Sequence, residues 1–335
     1  MKDAPCMPST ERSPAAGRRS LLRGLAASPL LAAPMGRQAL AQAFPSRPIT
    51  LIVPFPPGGA TDVLFRALAQ AASKDLGQPI VIANRPGASG TMAPAMMAKT
   101  DKGDGYTLSV LPASLYRLPH LQASNWDPTR DFSYVIGLTA YTYGVSVRAD
   151  ARWKSLAEVF SEARAKPGQI SYGTTGTGTS GHIAAERMAR AANVRLNFVP
   201  FKGAAEWSAA LLGGHIDLAV DPGWGALAQA GRIRVLATAT PERVLPSIPT
   251  LRELGHDVVA VSMLGIGGPA GMDPAVVKTL HDAFLKASRD EAFQRALRNE
   301  NMVTIHLDPA AFTRYAVDKY ESDRLAVKEL GLLLK

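Results

Sequence analysis

Cysteine is nearly absent from this sequence, which has one in 335 residues, Cys6. A single cysteine cannot form an internal disulfide, and beyond residue 43 the chain has no thiol for a metal site or a covalent nucleophile. The folded part must therefore be held together by hydrophobic packing rather than by disulfide or thiolate cross-links.

Charged and aromatic residues are also scarce, at 19% and 7% of the chain, whereas hydrophobic residues make up 47%. This balance supplies a large core and is not that of a disordered chain. The net charge is +9, but no dense Lys/Arg cluster with interleaved aromatics indicates nucleic acid as a partner. A mild basic excess suits small acidic molecules. The length, at about 100–200 residues per domain, predicts two domains.

The first 43 residues have the pattern of an export signal. Arg18, Arg19 and Arg23 form a basic region, residues 25–35 are apolar, and Ala41-Gln42-Ala43 is a small-residue cleavage pattern. The apolar run is too short to span a bilayer. We predict cleavage after Ala43 and export by the twin-arginine (Tat) or the general secretory (Sec) route. An unstructured tail is the alternative.

A buried strand followed by a glycine-rich turn and a helix is predicted at residues 49–77. Ile49–Val53 is apolar, prolines and Gly58-Gly59 follow, and apolar residues then recur at helical spacing until Gly77. Such a turn can hold an anion, because the first-turn N–H groups lack partners within the helix and its dipole favours negative charge. Thr61 or Asp62 would cap the same helix, so a turn without ligand remains an alternative.

The same pattern recurs twice. A strand at 80–83 leads into the turn Asn84–Thr91, and a strand at 106–111 ends just before Ser114. This βαβαβ order predicts a parallel, doubly wound sheet, in which ligands bind beyond the carboxyl ends of the strands. All three turns are therefore expected at one edge of the sheet, where they would form a cleft.

A second βα-rich unit is predicted from residue 143 to 261, with Asp221 at the carboxyl end of one of its strands. Residues 132–147 and 258–267 are apolar and indicate strands that cross into this unit and return from it. We therefore predict a signal peptide at 1–43, one domain from 44–142 with 262–335, and a second domain from 143–261.

The turn Gly176–Gly181 matches the pattern G-x-G-x-x-G, which can hold the pyrophosphate of a dinucleotide. That fingerprint also needs an acidic residue about 20 positions on, where this chain has Phe201 and Lys202. We interpret the turn as a hydroxyl-rich anion site, in which Thr174, Thr177, Thr179 and Ser180 donate to a carboxylate together with the helix amides.

Two catalytic or metal-binding interpretations of the same turn have less support. Ser180 is not in a full G-x-S-x-G motif, since His182 replaces the second glycine. His182 and Glu186 are four residues apart and would share a helix face, but a single pair without further ligands is usually structural.

Taken together, these motifs resemble the Bug proteins, the periplasmic solute receptors of tripartite tricarboxylate transporters. The resemblance covers essentially the whole chain after residue 43. The segments that carry it are Arg47–Ile49, Pro54–Asp62, Asn84–Thr91, Asp104–Leu108, Asp127-Pro128, Asp131-Phe132, Gly178, Ser180–His182, Val199–Gly203, Leu212–Gly214, Ile216–Leu218 and Ile248–Thr250.

The resemblance implies an α/β fold of two doubly wound domains with a cleft between them, as in a Venus flytrap. It implies a monomeric periplasmic binding protein that captures a small organic carboxylate for the membrane subunits of a tripartite tricarboxylate transporter. The carboxylate would be a dicarboxylate, an amino acid or an aromatic acid. No catalytic residue, metal or cofactor is implied. The alternative is an exported α/β enzyme that uses the G-x-G-x-x-G turn on a nucleotide or an ester.

The ligand-binding residues that the resemblance implies come from the turns of both domains. They are Phe55, Pro57, Gly58, Gly59, Thr61, Asp62, Asn84, Ala88, Ser89, Ser114, Thr177, Gly178, Thr179, Ser180, His182 and Asp221. Family members often have Tyr where this chain has Phe201, and Met-Phe where it has Ala219-Val220. These differences leave the distal group of the ligand open. If Asp221 faces the cleft, it would pair with an ammonium group, which favours an amino acid as ligand. If it faces water, a dicarboxylate or an aromatic acid fits equally well.

Overall fold

The computed structural model describes residues 44–331. The predicted signal segment lies outside them. Within this range the strands are β1 (Ile49–Val53), β2 (Ile80–Asn84), β3 (Thr107–Leu111), β4 (Phe132–Thr142), β5 (Gly144–Arg148), β6 (Ser171–Thr174), β7 (Asn197–Pro200), β8 (Leu218–Asp221), β9 (Ile233–Thr238), β10 (Val261–Pro269) and β11 (Val303–Leu307).

The helices in the same range alternate with the strands over much of the chain. They are α1 (Ala60–Leu76), α2 (Met92–Thr100), α3 (Ser114–Leu121), α4 (Leu156–Ala165), α5 (Ser180–Ala191), α6 (Ala204–Leu212), α7 (Gly225–Gln229), α8 (Pro274–Ala287), α9 (Glu291–Asn299) and α10 (Pro309–Leu330). None of these helices is both long enough and apolar enough to cross a membrane.

The first sheet has six strands in the order β11-β4-β10-β3-β1-β2. Strands β2, β1 and β3 are parallel to one another, as the βαβαβ pattern predicts. Strands β10, β4 and β11 extend the sheet in antiparallel pairing. The carboxyl ends of β1, β2 and β3 therefore lie at one edge, together with the turns that follow them.

The second sheet has five strands in the order β7-β6-β8-β5-β9. Its centre is again parallel, since β6 pairs in parallel with both β7 and β8. β5 is antiparallel to β8 and to β9. The turn after β6 and the residue Asp221 at the end of β8 consequently lie at the same edge of this sheet.

Helix α1 shows how the sequence pattern produces this architecture. Its residues Leu64, Phe65 and Leu68 recur at helical spacing and are fully buried against the first sheet. The helix begins at the extended residue Gly59 and ends at Gly77, whose φ of 64° is left-handed and suits glycine. Burial of one such apolar side chain contributes about 1.5–3 kcal/mol.

The chain passes from the first sheet to the second at Tyr143, between β4 and β5. The sequence predicts one continuous strand here, but the structure breaks it. Trp224 packs closely on Gly144, where a Cβ would lie 2.8 Å from the ring, and its Nε1 donates to the Thr142 carbonyl at 3.1 Å. The chain returns through β10.

The predicted α/β fold class with two sheets is confirmed. The exact domain limits stay a prediction, because both sheets lie within one compact unit of the chain. Four elements of the described residues were not predicted from the sequence: α3, α7, α9 and β11. Helix α3 has only eight residues, and one of them is Pro119, a residue type that argues against a helix in a sequence-based prediction. Strand β11 is a largely exposed edge strand in which apolar Val303, Ile305 and Leu307 alternate with polar residues, a pattern from which it could have been predicted.

Candidate functional site

A cavity of about 60 Å³ lies between the turns at the carboxyl ends of the two sheets. Its walls come from the turns after β1, β2 and β3, from the turns after β6 and β8, and from the crossing strands. Eight of the predicted ligand-binding residues line it, from both sheets. They are Phe55, Gly59, Thr61, Ser89, Ser114, Thr179, Ser180 and Asp221.

The other eight predicted residues do not line the cavity: Pro57, Gly58, Asp62, Asn84, Ala88, Thr177, Gly178 and His182. Among them, Asp62 and Asn84 shape the first turn. Asp62 accepts hydrogen bonds from the Gly58 N–H at 2.9 Å and from Asn84 Nδ2 at 2.8 Å. Asn84 Nδ2 also donates to the Phe55 carbonyl at 3.1 Å. Burial alone would raise the pKa of Asp62, but hydrogen bonds from Arg66, Gly58 and Asn84 lower it.

The second and third turns are joined to the turn of the opposite sheet by hydrogen bonds. Ser114 Oγ donates to the Ser89 carbonyl, and Ser89 Oγ donates to the Thr177 carbonyl, both at 2.7 Å. Ala88 and Ser89 have φ values of 45° and 55°, which are strained for residues with a side chain. This strain orients the Ser89 backbone at the cavity wall, and such strain often accompanies a functional site.

Four helices begin at the cavity, namely α1, α3, α5 and α6. The amino ends of α1, α3 and α6 have no side-chain cap, whereas Thr179 caps α5 by accepting from the His182 N–H at 3.4 Å. Within residues 44–331, no Lys, Arg or His lines the cavity. An anion there would be held by hydroxyl groups and by the N–H groups at the helix amino ends, whose dipoles favour negative charge.

Asp221 is the one carboxylate of the described chain that lines the cavity. It is buried, and it accepts from Thr174 Oγ1 at 2.6 Å, from the Thr175 N–H at 2.5 Å and from Thr175 Oγ1 at 3.0 Å. Burial raises the pKa of Asp221 to about 6, against the effect of these hydrogen bonds. Both carboxylate oxygens thus bond to the turn after β6, and Asp221 holds that turn in place.

Sequence reasoning missed the tyrosines that line the cavity. Tyr141 and Tyr143 are buried where the chain crosses between the sheets, and the Tyr141 hydroxyl is hydrogen-bonded to Thr61. Burial raises the pKa of both tyrosines, so their hydroxyls stay protonated. Tyr141 lies near the end of β4 and Tyr143 just beyond it. Their spacing of two residues, which would put both on one face of the strand predicted over 132–147, is the signal that could have identified them.

The remaining missed lining residues are mostly small or apolar, and the sequence offers no pattern for them. They are Pro56, Ala60, Pro112, Ala113, Thr175, Ala204, Ala205, Pro222 and Ser262. They give the cavity apolar walls beside its polar ends.

The structure gives His182 and Glu186 structural partners. His182 Nδ1 accepts from the Gly178 N–H at 3.1 Å, and its ring stacks on Phe198 with a centroid separation of 4.2 Å. Glu186 accepts from the Tyr172 hydroxyl at 2.6 Å. Among the residues that the structure describes, no three of His, Asp, Glu or Cys form a metal-binding group.

Comparison with known proteins places this chain among receptors. A family model described as "Tripartite tricarboxylate transporter family receptor" matches residues 64–332. A protein of Cupriavidus necator, "UPF0065 protein in gbd 5'region", is 39% identical over 303 residues, which cover 90% of this chain and 92% of that protein.

Two solved structures from Rhodopseudomonas palustris share the fold. One, solved with adipate, has a TM-score of 0.81 and 30% identity, and the match covers 86% of this chain and 98% of that chain. The other, solved with bound malate, has a TM-score of 0.78 and 26% identity, and the match covers 85% of this chain and 100% of that chain.

Proposed function

The chain belongs to the tripartite tricarboxylate transporter receptor family, and on that premise we propose that it is a periplasmic receptor for a small dicarboxylate. The receptor would deliver its ligand to the membrane subunits of a transporter and would not itself catalyse a reaction. The family is one of solute-binding receptors rather than enzymes. This agrees with the resemblance to the Bug proteins seen in the sequence.

The observation that carries the proposal is the composition of the cavity wall. The uncapped amino ends of α1 and α3 meet there with the hydroxyls of Thr61 and Ser180, whereas the Ser114 hydroxyl already donates to the Ser89 carbonyl. Hydrogen bonds to a charged group are worth about 1.5–3 kcal/mol each, so three or four of them are enough for micromolar binding, which requires about 8 kcal/mol. No side-chain cation of the described residues is needed for this.

A dicarboxylate is favoured over an amino acid by the bonding of Asp221. Both of its oxygens are engaged by Thr174 and Thr175, so an ammonium group would have to compete with three short hydrogen bonds. The relatives solved with adipate and with malate support the same ligand class. The apolar wall formed by Phe55 and Ala204 suits a short carbon chain between two carboxylates.

A thermal-shift screen of the chain from Phe44 onward tests this function. The panel contains malate, adipate, glutamate, benzoate, ATP and the diamide of adipate. A ligand that binds only the folded state stabilises it by about 2.7 kcal/mol at a hundredfold excess over its Kd. We expect a rise in Tm with a dicarboxylate and none with the diamide.

Two variants at Gly59 locate the binding site. Gly59 has extended backbone angles, φ −81° and ψ 167°, that any residue can adopt. A Cβ there would lie 3.8 Å from Ala204, in ordinary contact. Gly59→Ala should therefore bind like the parent, whereas the side chain of Gly59→Leu would enter the cavity and abolish the shift. A shift with ATP alone, or an unchanged response of Gly59→Leu, would refute the proposal.

A further inference from the structure

Arg117 is a buried cation beside the candidate site but outside its lining. It lies on α3, and its side chain is 4% exposed. Its Nη2 lies 3.0 Å from Asp323 on α10, and Lys319 of the same helix lies 2.6 Å from the same carboxylate oxygen. The guanidinium therefore links α3, which carries it, to α10, which carries Asp323 and Lys319.

Arg117 also contacts the turn that follows β6 of the second sheet. Nη1 donates to the Gly178 carbonyl at 2.9 Å, and both terminal nitrogens lie 3.4 Å from Ser180 Oγ. Gly178 also packs against α3, since a Cβ at that position would lie 2.5 Å from Leu121. Arg117 thus links α3 and α10 to the turn 174–180, which supplies the candidate site with Thr179 and Ser180.

Ser180 is shared between the candidate ligand cavity and a second cavity of about 70 Å³ that Arg117 and Asp323 line. Ser180 therefore separates Arg117 from the ligand, and any effect of Arg117 on binding must act through the turn. A charged donor to a buried carbonyl restrains the turn more strongly than a neutral one.

We propose that Arg117 is a positioning residue that holds the turn 174–180 against α3, so that Thr179 and Ser180 face the ligand. This inference rests on the proposed function, because it assigns the turn to ligand binding. It predicts that loss of the guanidinium weakens binding mainly by speeding dissociation, without altering any group that touches the ligand.

The decisive variant, Arg117→Met, removes the guanidinium alone. Lys319 lies 2.6 Å from Asp323, so this variant leaves the buried carboxylate with a cation, whereas removing Asp323 as well would leave Lys319 without its carboxylate. We therefore expect Arg117→Met to unfold near the parental Tm without ligand. Its Kd for adipate or malate, measured by titration calorimetry, should rise about tenfold or more, since one charged hydrogen bond is lost.

Arg187→Met is the matched control. Arg187 on α5 pairs with Glu329 on α10 at 3.0 Å, so it joins elements of the same two regions, but both side chains are partly exposed. Exposed pairs contribute little, and Kd should change less than twofold. If Arg117→Met binds as the parent does, or if Arg187→Met weakens binding equally, the positioning role is refuted.

Hydrogen exchange separates this inference from the proposed function. In Arg117→Met without ligand, amides of residues 174–180 should exchange faster while the core strands keep their protection. Should the parent bind neither adipate nor malate, the proposed function fails, and unchanged exchange in this turn would then independently refute the role of Arg117. Arg117→Lys, which keeps the positive charge but loses the forked geometry of the guanidinium, replaces Arg117→Met if that variant does not fold.

Discussion

Asp221→Asn is expected to remove a pH dependence of stability that originates at the candidate site. The carboxylate is buried, and burial raises its pKa from an ordinary 3.8 to about 6. Asparagine has the same shape and can still accept from Thr174 and from the Thr175 N–H, while its amide can donate to Thr175 Oγ1. The substitution therefore removes the titrating carboxyl group and keeps the hydrogen bonds that hold the turn after β6.

The direction of this pH dependence of stability follows from proton linkage. The folded protein binds the Asp221 proton more tightly than the unfolded chain, so protonation stabilises the fold. This contribution is fully present below pH 3.8 and is lost as the pH rises through about 6. The whole difference corresponds to about 3 kcal/mol, at about 1.4 kcal/mol per tenfold change in affinity for the proton. About 2 kcal/mol of it falls between pH 4.5 and pH 7.

The assay is urea unfolding of the parent and of Asp221→Asn at pH 4.5, 5.5 and 7. Other buried carboxyls, such as Glu300, titrate in both proteins and cancel in the difference. The free energy of unfolding of the parent, relative to the variant, should rise by about 2 kcal/mol from pH 7 to pH 4.5. A difference that stays constant, or that falls at low pH, would refute the assignment of a raised pKa to Asp221.

Two further substitutions test the packing on which the site depends. Gly181→Ala should lower the free energy of unfolding by about 1–3 kcal/mol in urea, because its Cβ would lie 2.3 Å from the Val220 carbonyl; a change below 0.5 kcal/mol would contradict this. Phe284→Ala should cost about 3–5 kcal/mol, since the ring is fully buried on α8. Leu325→Ala, at 59% exposure, is its control and should stay within about 0.5 kcal/mol.

The local pattern of this chain determines much of the fold. Apolar strands followed by glycine-rich turns and amphipathic helices specify βαβ units through interactions between near neighbours, and β1, α1 and β2 follow that pattern closely. The same rule places the turns at one sheet edge, and eight of the sixteen expected ligand-binding residues do line the cavity there. An acidic residue at the carboxyl end of a predicted strand also identifies Asp221 as a candidate for the site.

The roles of individual side chains were decided only by the tertiary structure. Asp62 and Asn84 belong to the turns around the site. Their hydrogen bonds stabilise the turn after β1, and neither side chain lines the cavity. Tyr141 reaches the cavity because the chain crosses between sheets there, and Arg117 meets Asp323 across 206 residues of sequence. Sequence periodicity reports which face of one element is apolar. It carries no information about which distant element will pack against that face, because such contacts depend on the closure of the whole chain.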